Sequence, residues 1–299
     1  MARPIVLFIA GMGRSGSTLL GDVLQTFDGV TAVGELHHIW GRGAVENWRC
    51  GDGPLFREHP VWQRVVAAVE ASEPGLTLAA RAVRVNDLRN NRRKLVRQAP
   101  CVIRGAALAY RAEFEVIYQT LADATDAKVI VDTGKVPSHA AIMQSSTGVD
   151  FRVLHLVRDP CAVAFARSRT KQTIGPSGQA AQMQKFSALM TALRWMRRQH
   201  EVEKLSRGGV FATLSYEAFC QTPAQTLRAV RNALGLPIED AEIDRLGSAQ
   251  FARTPGLAFS GNPCRFSTNM TRIASDDRWR GHMPWYNKAL VRALSGARA

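Results

Sequence analysis

The chain has 299 residues, 46% of them apolar and 21% charged, with 39 Lys and Arg against 25 Asp and Glu for a formal net charge of +14. That is enough chain and enough apolar content to bury a full core without disulfide or metal support, and no uninterrupted apolar run reaches the length of a membrane span. The charge excess favours an anionic partner, yet neither a nucleic-acid reading motif nor a basic stripe with interleaved aromatics is present, so nucleic acid is not expected.

In chain order, the first predicted element is an apolar strand from Ile5 to Ala10. Only Arg3 precedes it as a charge, and it ends in Gly-Met-Gly-Arg rather than a small-residue cleavage site, so it reads as a mature strand and not as a secretory signal. Three glycines, Gly11, Gly13 and Gly16, lead into a helix with the apolar stripe Leu19, Leu20, Val23 and Leu24. A second strand, Val30 to Val33, is followed by Glu35, His37 and His38. Trp40, Trp48 and Trp62 flank an irregular region from Gly41 to Pro60; they fit either an acceptor pocket or the core. Helical stripes follow at Val61, Val65, Val66 and Val69 and at Phe114, Ile117, Tyr118 and Leu121. Between them, Arg81 to Arg97 carries seven Lys or Arg against Asp87 alone and reads as a solvated helix face, with a binding role as the alternative.

Further strands are predicted at Lys128 to Val131, Arg152 to Val157 and Val210 to Leu214, and Gly175-Pro-Ser-Gly178 reads as a loop. Strands that are nearly all apolar and alternate with helices predict an α/β fold in one domain, 1–299, its parallel sheet flanked by helices on both faces. Ligands of such sheets bind outside the carboxyl ends of the strands. The five cysteines, Cys50, Cys101, Cys161, Cys220 and Cys264, are odd in number and lack close pairs, which argues against a disulfide framework or a zinc ribbon and for a reducing cytoplasm. Cys161 reads as a small neutral residue.

A strand, a Gly-rich turn and a helix start aim unpaired backbone N–H groups and the positive helix end at one point, where a phosphate fits. Glycine lets the backbone approach closely, Ser15, Ser17 and Thr18 supply donors, and Arg14 adds a planar charge. Three phosphate loops compete. The nucleotide-triphosphatase loop requires a lysine where this chain has Ser17. The dinucleotide fingerprint is matched literally by Gly11, Gly13 and Gly16, with Glu35 at the distance of a ribose-binding carboxylate, which leaves an NAD(P)-dependent oxidoreductase as the alternative.

The third reading draws on the rest of the chain. Arg14-Ser-Gly-Ser-Thr-Leu-Leu20 resembles the 5′-phosphosulfate loop of sulfotransferases that use 3′-phosphoadenosine 5′-phosphosulfate (PAPS). Val153-Leu-His-Leu-Val-Arg-Asp-Pro-Cys-Ala-Val163 resembles that family's 3′-phosphate strand and loop, with Arg158 in the place of its phosphate-binding arginine. Val129-Ile-Val-Asp-Thr-Gly-Lys-Val-Pro137 is similar to the segment whose lysine, here Lys135, reaches the sulfuryl group. Leu214-Ser-Tyr-Glu217 is similar to the pair whose tyrosine, here Tyr216, lies near the adenine. Gly261 to Phe266 and Asp277 to His282 resemble the C-terminal segment that folds over the nucleotide in bacterial members, and the pattern at Trp279 resembles tyrosylprotein sulfotransferases. The usual phosphate-binding serine eight residues after Arg158 is replaced by Ala166, so that Ser168 or Arg169 takes over its contact or nucleotide affinity falls.

The resemblance implies a P-loop-NTPase-like fold and in-line transfer of a sulfuryl group from PAPS to an acceptor hydroxyl or amine, dominated by positioning and electrostatics, with no metal demanded. Arg14 and Lys135 are the expected charge stabilisers. Glu35 is the expected base, with burial raising its pKa toward working pH, and His37 and His38 are its rivals. Arg14, Ser15, Gly16, Ser17, Thr18, Arg158, Ser168, Tyr216, Arg265, Arg272 and Arg278 are the expected donor contacts. A sugar, lipid, phenol, peptide tyrosine or secondary metabolite all fit as acceptor, the oligomeric state is open, and a non-catalytic nucleotide-binding protein is a third reading.

Overall fold

The computed structural model describes residues 3–90, 105–169, 172–174, 180–182 and 184–296. The loop expected at 175–178, the basic stretch 91–97 and Cys101 lie outside these residues.

Five parallel strands form the central sheet: β1 (Ile5–Gly11), β2 (Val30–Gly34), β3 (Val129–Asp132), β4 (Asp150–Val157) and β7 (Phe211–Ser215), in the order β2-β3-β1-β4-β7. All five were expected from their apolar runs. Two short antiparallel pairs, β5 (Gln172–Ile174) with β6 (Ala180–Gln182) and β8 (Gln250–Ala252) with β9 (Met270–Arg272), lie outside that sheet.

Helices cover both faces. Along β1, Val6, Phe8 and Ala10 belong to one core, while Leu7 and Ile9 belong to another. This is the two-residue alternation of a strand, and it explains why a sheet covered on both sides needs an unbroken apolar run. On the first face pack α2 (Pro60–Ser72), through Trp62, Val65 and Val69, and α4 (Ala106–Thr125), through Phe114, Ile117, Tyr118 and Leu121. On the second pack α1 (Ser17–Leu24) and the helix Pro223–Leu234. Each large side chain fully buried in this way contributes about 1.5–3 kcal/mol. Trp40 and Trp62 are core residues at 1% and 0% exposure.

The basic stretch is not a solvated face where it is described. Arg81, in α3 (Leu78–Asn90), has 0% exposure and pairs with Glu113 of α4 at 2.6 Å and with Glu73 at 3.0 Å. Arg84 also bonds Glu113, and Trp40 Nε1 donates to the same carboxylate at 2.7 Å. The buried Glu113 charge is thereby matched, and a carboxylate stranded by the loss of such a partner costs about 3–5 kcal/mol.

A third cluster fixes the end of the chain. Trp279 and Met283 pack with Cys161, Ala162 and Ala164 of α6 (Pro160–Ser168), Ala192 of α7 (Ala188–Glu203) and Val291 of the C-terminal helix Trp285–Ser295. The C-terminal segment is thus pinned beside the helix that follows β4. No helix among the described residues is long and apolar enough to cross a membrane.

Candidate active site

The site lies where β1, β2, β3 and β4 end. At the exit of β1, Gly11 has φ +145°, and a Cβ there would stand 2.5 Å from the Leu156 carbonyl oxygen of the neighbouring strand. Gly16, at the start of α1, has φ +92°, and a Cβ there would lie 2.3 Å from the Tyr216 ring. Both glycines therefore answer a close approach as well as a left-handed backbone. Between them Arg14 is held at φ +77°, an uncommon conformation for a residue with a side chain. Ser15 Oγ is buried and has no hydrogen-bond partner among the described residues.

At the exit of β4, the Arg158 guanidinium donates to the Arg14 carbonyl at 3.0 Å and lies 4.5 Å from the centre of the Tyr216 ring. Tyr216 in turn covers Gly16. The two expected anion cradles are therefore adjoining walls of one surface. Asp159 does not pair with Arg158; its carboxylate caps α6 through the N–H groups of Cys161 and Ala162. Glu217 accepts from the Asp159 N–H at 3.0 Å and ties the β7 exit to the β4 exit. The tail reaches the same place, since the Asp276 carbonyl accepts from Arg158 at 3.4 Å.

At the exits of β2 and β3, Lys135 Nζ stands 2.8 Å from Glu35 Oε1 and donates to Ser17 Oγ at 3.2 Å and to the Thr133 carbonyl at 2.5 Å. Its backbone is left-handed at φ +61°, and Arg198 of α7 donates to its carbonyl at 2.7 Å. Non-glycine residues in this region cost about 1–3 kcal/mol and collect at functional sites. Here two candidate catalytic cations, Arg14 and Lys135, share that property.

The electrostatics at Glu35 run opposite to the expectation of a raised pKa. Burial does push its carboxyl up, but Lys135, His38 and Arg42 outweigh it and hold the pKa at about 2. His38 Nε2 lies 3.7 Å from Glu35 Oε2, and the His37 and His38 rings are 4.0 Å apart. Ligand-type atoms of Glu35, His37 and His38 fall within 4.8 Å of one another, with the Lys135 ammonium on the other carboxylate oxygen of Glu35. Burial also lowers the Arg14 guanidinium from its usual value, with the Glu35 charge opposing.

One contributor escaped sequence reading although it sits in a quoted motif. Asp132 is 1% exposed, accepts from the Gly134 N–H and from the Tyr118 hydroxyl, both at 2.7 Å, and is pushed up to about 6 because burial outweighs these bonds. Tyr118 also bonds His139 at 2.9 Å, which Tyr110 bonds on its other nitrogen at 2.7 Å. This buried chain braces the turn that presents Lys135. The only sequence signal was an aspartate ending an apolar strand.

A cleft opens beside Glu35, lined among others by Thr18, Asp22, Thr133, Ser260 and Arg265. Arg265 is 7% exposed, and burial lowers its pKa to about 10. A second space is bordered by His37, His38, Trp40, Arg42 and Glu46. Of the remaining expected donor contacts, Ser168 is exposed and its hydroxyl donates to the Phe165 carbonyl at 2.9 Å. Arg169 stacks on Phe165 at 5.3 Å. Arg272 is exposed on β9, and Arg278 is exposed and paired with Asp276 at 2.6 Å.

The strand order separates the competing phosphate loops. In the dinucleotide-binding order 3-2-1-4-5 the second strand lies beside the first and delivers its carboxylate to the ribose. Here β3 lies between β1 and β2, and Glu35 faces the lysine that β3 supplies. The molecule is a P-loop-like α/β protein.

The profile of the sulfotransferase family matches residues 4–240, and the chain belongs to that family. No curated protein sequence matches it. Among solved structures, the sulfotransferase domain from the curacin biosynthetic pathway shares 16% identity with a TM-score of 0.51, over 99% of this chain and 98% of that one. The sulfotransferase domain of the Synechococcus PCC 7002 olefin synthase shares 18% identity with a TM-score of 0.45, over 100% and 98%. The sulfotransferase STF9 from Mycobacterium avium shares 13% with a TM-score of 0.45, over 96% and 76%.

Proposed function

We propose that this protein moves a sulfuryl group from PAPS to an acceptor hydroxyl or amine, with Glu35 as the base and Arg14 and Lys135 as the charge stabilisers. The observation that carries the reading is the Arg158 guanidinium, which touches both the Arg14 carbonyl and the Tyr216 ring and so brings the two expected anion cradles together on one surface. The buried Ser15 hydroxyl and the buried Arg158 Nε, neither with a partner among the described residues, suit a ligand rich in acceptor oxygens. PAPS, when bound, supplies the activated sulfuryl group.

The residues of the chain divide the remaining work. Ser15, Gly16 and Ser17 present donors at the start of α1 to the 5′ end, Arg158 holds the 3′-phosphate, and Tyr216 offers a ring face for the base. Lys135 neutralises charge growing on the leaving oxygen. As it turns from Glu35 toward that oxygen, the largest influence that lowers the Glu35 pKa weakens while burial persists, so the carboxylate becomes a stronger base at the moment it is needed. The cleft beside Glu35 receives the acceptor.

The test is thermal stabilisation by adenosine 3′,5′-bisphosphate, the reaction's product, compared with NAD(P), followed by transfer of labelled sulfate from PAPS over a panel of acceptors. Stabilisation by the bisphosphate together with transfer is the expected result. Stabilisation by NAD(P) alone overturns the reading, and bisphosphate binding without transfer to any acceptor reduces it to nucleotide binding.

A further inference from the structure

The replacement of the usual serine by Ala166 leaves one phosphate contact unassigned; the Ser168 hydroxyl bonds the Phe165 carbonyl and Arg169 stacks on the Phe165 ring. The neighbour that meets the loop is Arg167. Its Nη1 would lie 3.1 Å from a Cβ placed on Gly13, so its guanidinium rests against the turn that carries Arg14. It also lies 4.4 Å from the centre of the Phe186 ring, and Arg194 of α7 lies 4.0 Å from the same centre. Two guanidinium groups thus share one ring beside a third cation.

No carboxylate among the described residues pairs with Arg167 or Arg194, and Arg167 Nε is buried without a hydrogen bond. The segments outside the described residues contain neither Asp nor Glu. Like charges brought together without a counter-ion destabilise a fold, and the strain is visible in the lowering of Arg167 to about 10, caused by burial first and then by Arg194 and Arg14. A fold that retains such a cluster at a phosphate loop is built to receive an anion.

We propose that Arg167, supported by Arg194, holds the 3′-phosphate of the nucleotide opposite Arg158, in place of the hydroxyl lost at Ala166. Arg158 precedes α6 and Arg167 ends it, and both guanidinium groups lie against consecutive residues, Arg14 and Gly13, of one loop. A planar donor fork is a stronger phosphate ligand than a serine hydroxyl. The contact that looked missing in the sequence is therefore replaced by a charged one.

The inference rests on the proposed donor, and the experiment separates the two. Affinities of the full chain for adenosine 3′,5′-bisphosphate and for adenosine 5′-monophosphate are measured by calorimetry for the parent, Arg167→Ala, Arg167→Lys, Ser168→Ala and Arg169→Ala. The expected result is that Arg167→Ala loses about 10- to 100-fold of the preference for the bisphosphate, with monophosphate affinity kept and Arg167→Lys intermediate. The ligand-free Tm of Arg167→Ala should equal or exceed that of the parent, since an uncompensated cation has been removed, whereas loss of a merely structural arginine would lower it. An unchanged preference in Arg167→Ala, or its loss in Ser168→Ala or Arg169→Ala instead, overturns the assignment. A raised acceptor KM with unchanged nucleotide preference also overturns it and gives the cluster to an anionic acceptor. If the parent binds neither nucleotide, the donor reading itself falls.

Discussion

Lys135 and Glu35, one hundred positions apart in the chain, meet at 2.8 Å across the ends of two neighbouring strands. The pair joins the residue expected to stabilise the leaving group to the residue expected to take the acceptor proton. The Lys135 ammonium lowers the Glu35 pKa, so substitution of either carries a signature in pH as well as in rate.

Replacing Lys135 by Ala should lower the single-turnover rate of transfer by about 10²–10³, the size typical of a lost charge-stabilising donor. Stabilisation by adenosine 3′,5′-bisphosphate should fall much less, because Arg14, Arg158 and the α1 start remain. With the ammonium gone and burial unopposed by it, the Glu35 pKa rises, so the acid limb of the pH–rate profile should move to higher pH. A rate equal to that of the parent removes Lys135 from the chemistry.

Glu35→Gln should cost about 10²–10⁴ in rate. Its folded pKa, held at about 2, lies below the ordinary 4.5, so the carboxylate stabilises the fold above pH 4.5 and that contribution disappears as pH falls from 4.5 toward 2. The stability difference between parent and variant should therefore shrink over that acid window and stay constant above it, as read from denaturant unfolding at a series of pH values.

Asp132 has the opposite sign. Its pKa is raised from 3.8 to about 6, so the folded chain holds the proton longer than the unfolded one, and stability declines as pH rises from about 4 to about 6. Asp132→Asn should abolish this decline, worth on the order of 2–3 kcal/mol, while keeping an acceptor for the Gly134 N–H. An identical pH dependence in parent and variant would show that Asp132 does not titrate in this range.

Gly16→Ala places a methyl 2.3 Å from the Tyr216 ring at a backbone angle of +92°. Either Tyr216 leaves Gly16 and Arg158, or α1 shifts. Stabilisation by the bisphosphate should then be lost even where circular dichroism shows an intact fold, whereas Gly41→Ala, with open space around the added methyl, should behave as the parent.

Much of this was readable from the chain itself. The five strands of the sheet were legible because each is a buried apolar run stopped by Gly, Asp, Arg or Ser, and the candidate site was sought at those stops because parallel sheets bind ligands there. Long-range pairing was not legible. Arg81 looked solvated because its partner Glu113 lies 32 residues on, in another helix. Burial alone predicted a raised Glu35 pKa; the fold reversed it by bringing Lys135, His38 and Arg42 alongside. Arg167 was passed over because only the rotational phase of α6 decides which of three adjacent side chains meets the loop.

The interposition of β3 between β1 and β2 has a bearing on how such a protein diversifies. Neighbouring strands lie about 4.8 Å apart, so the exits of β1 and β2 stand about 10 Å from each other with the turn that carries Lys135 between them. On the proposed function, the grip on one reactant and the wall facing the other are thus carried by separate portions of chain, with Lys135 touching both. On that function, mutational drift around residues 36–60 and 253–260 can therefore retune what is accepted while the proposed donor contacts at Ser15, Arg158 and Tyr216 stay intact.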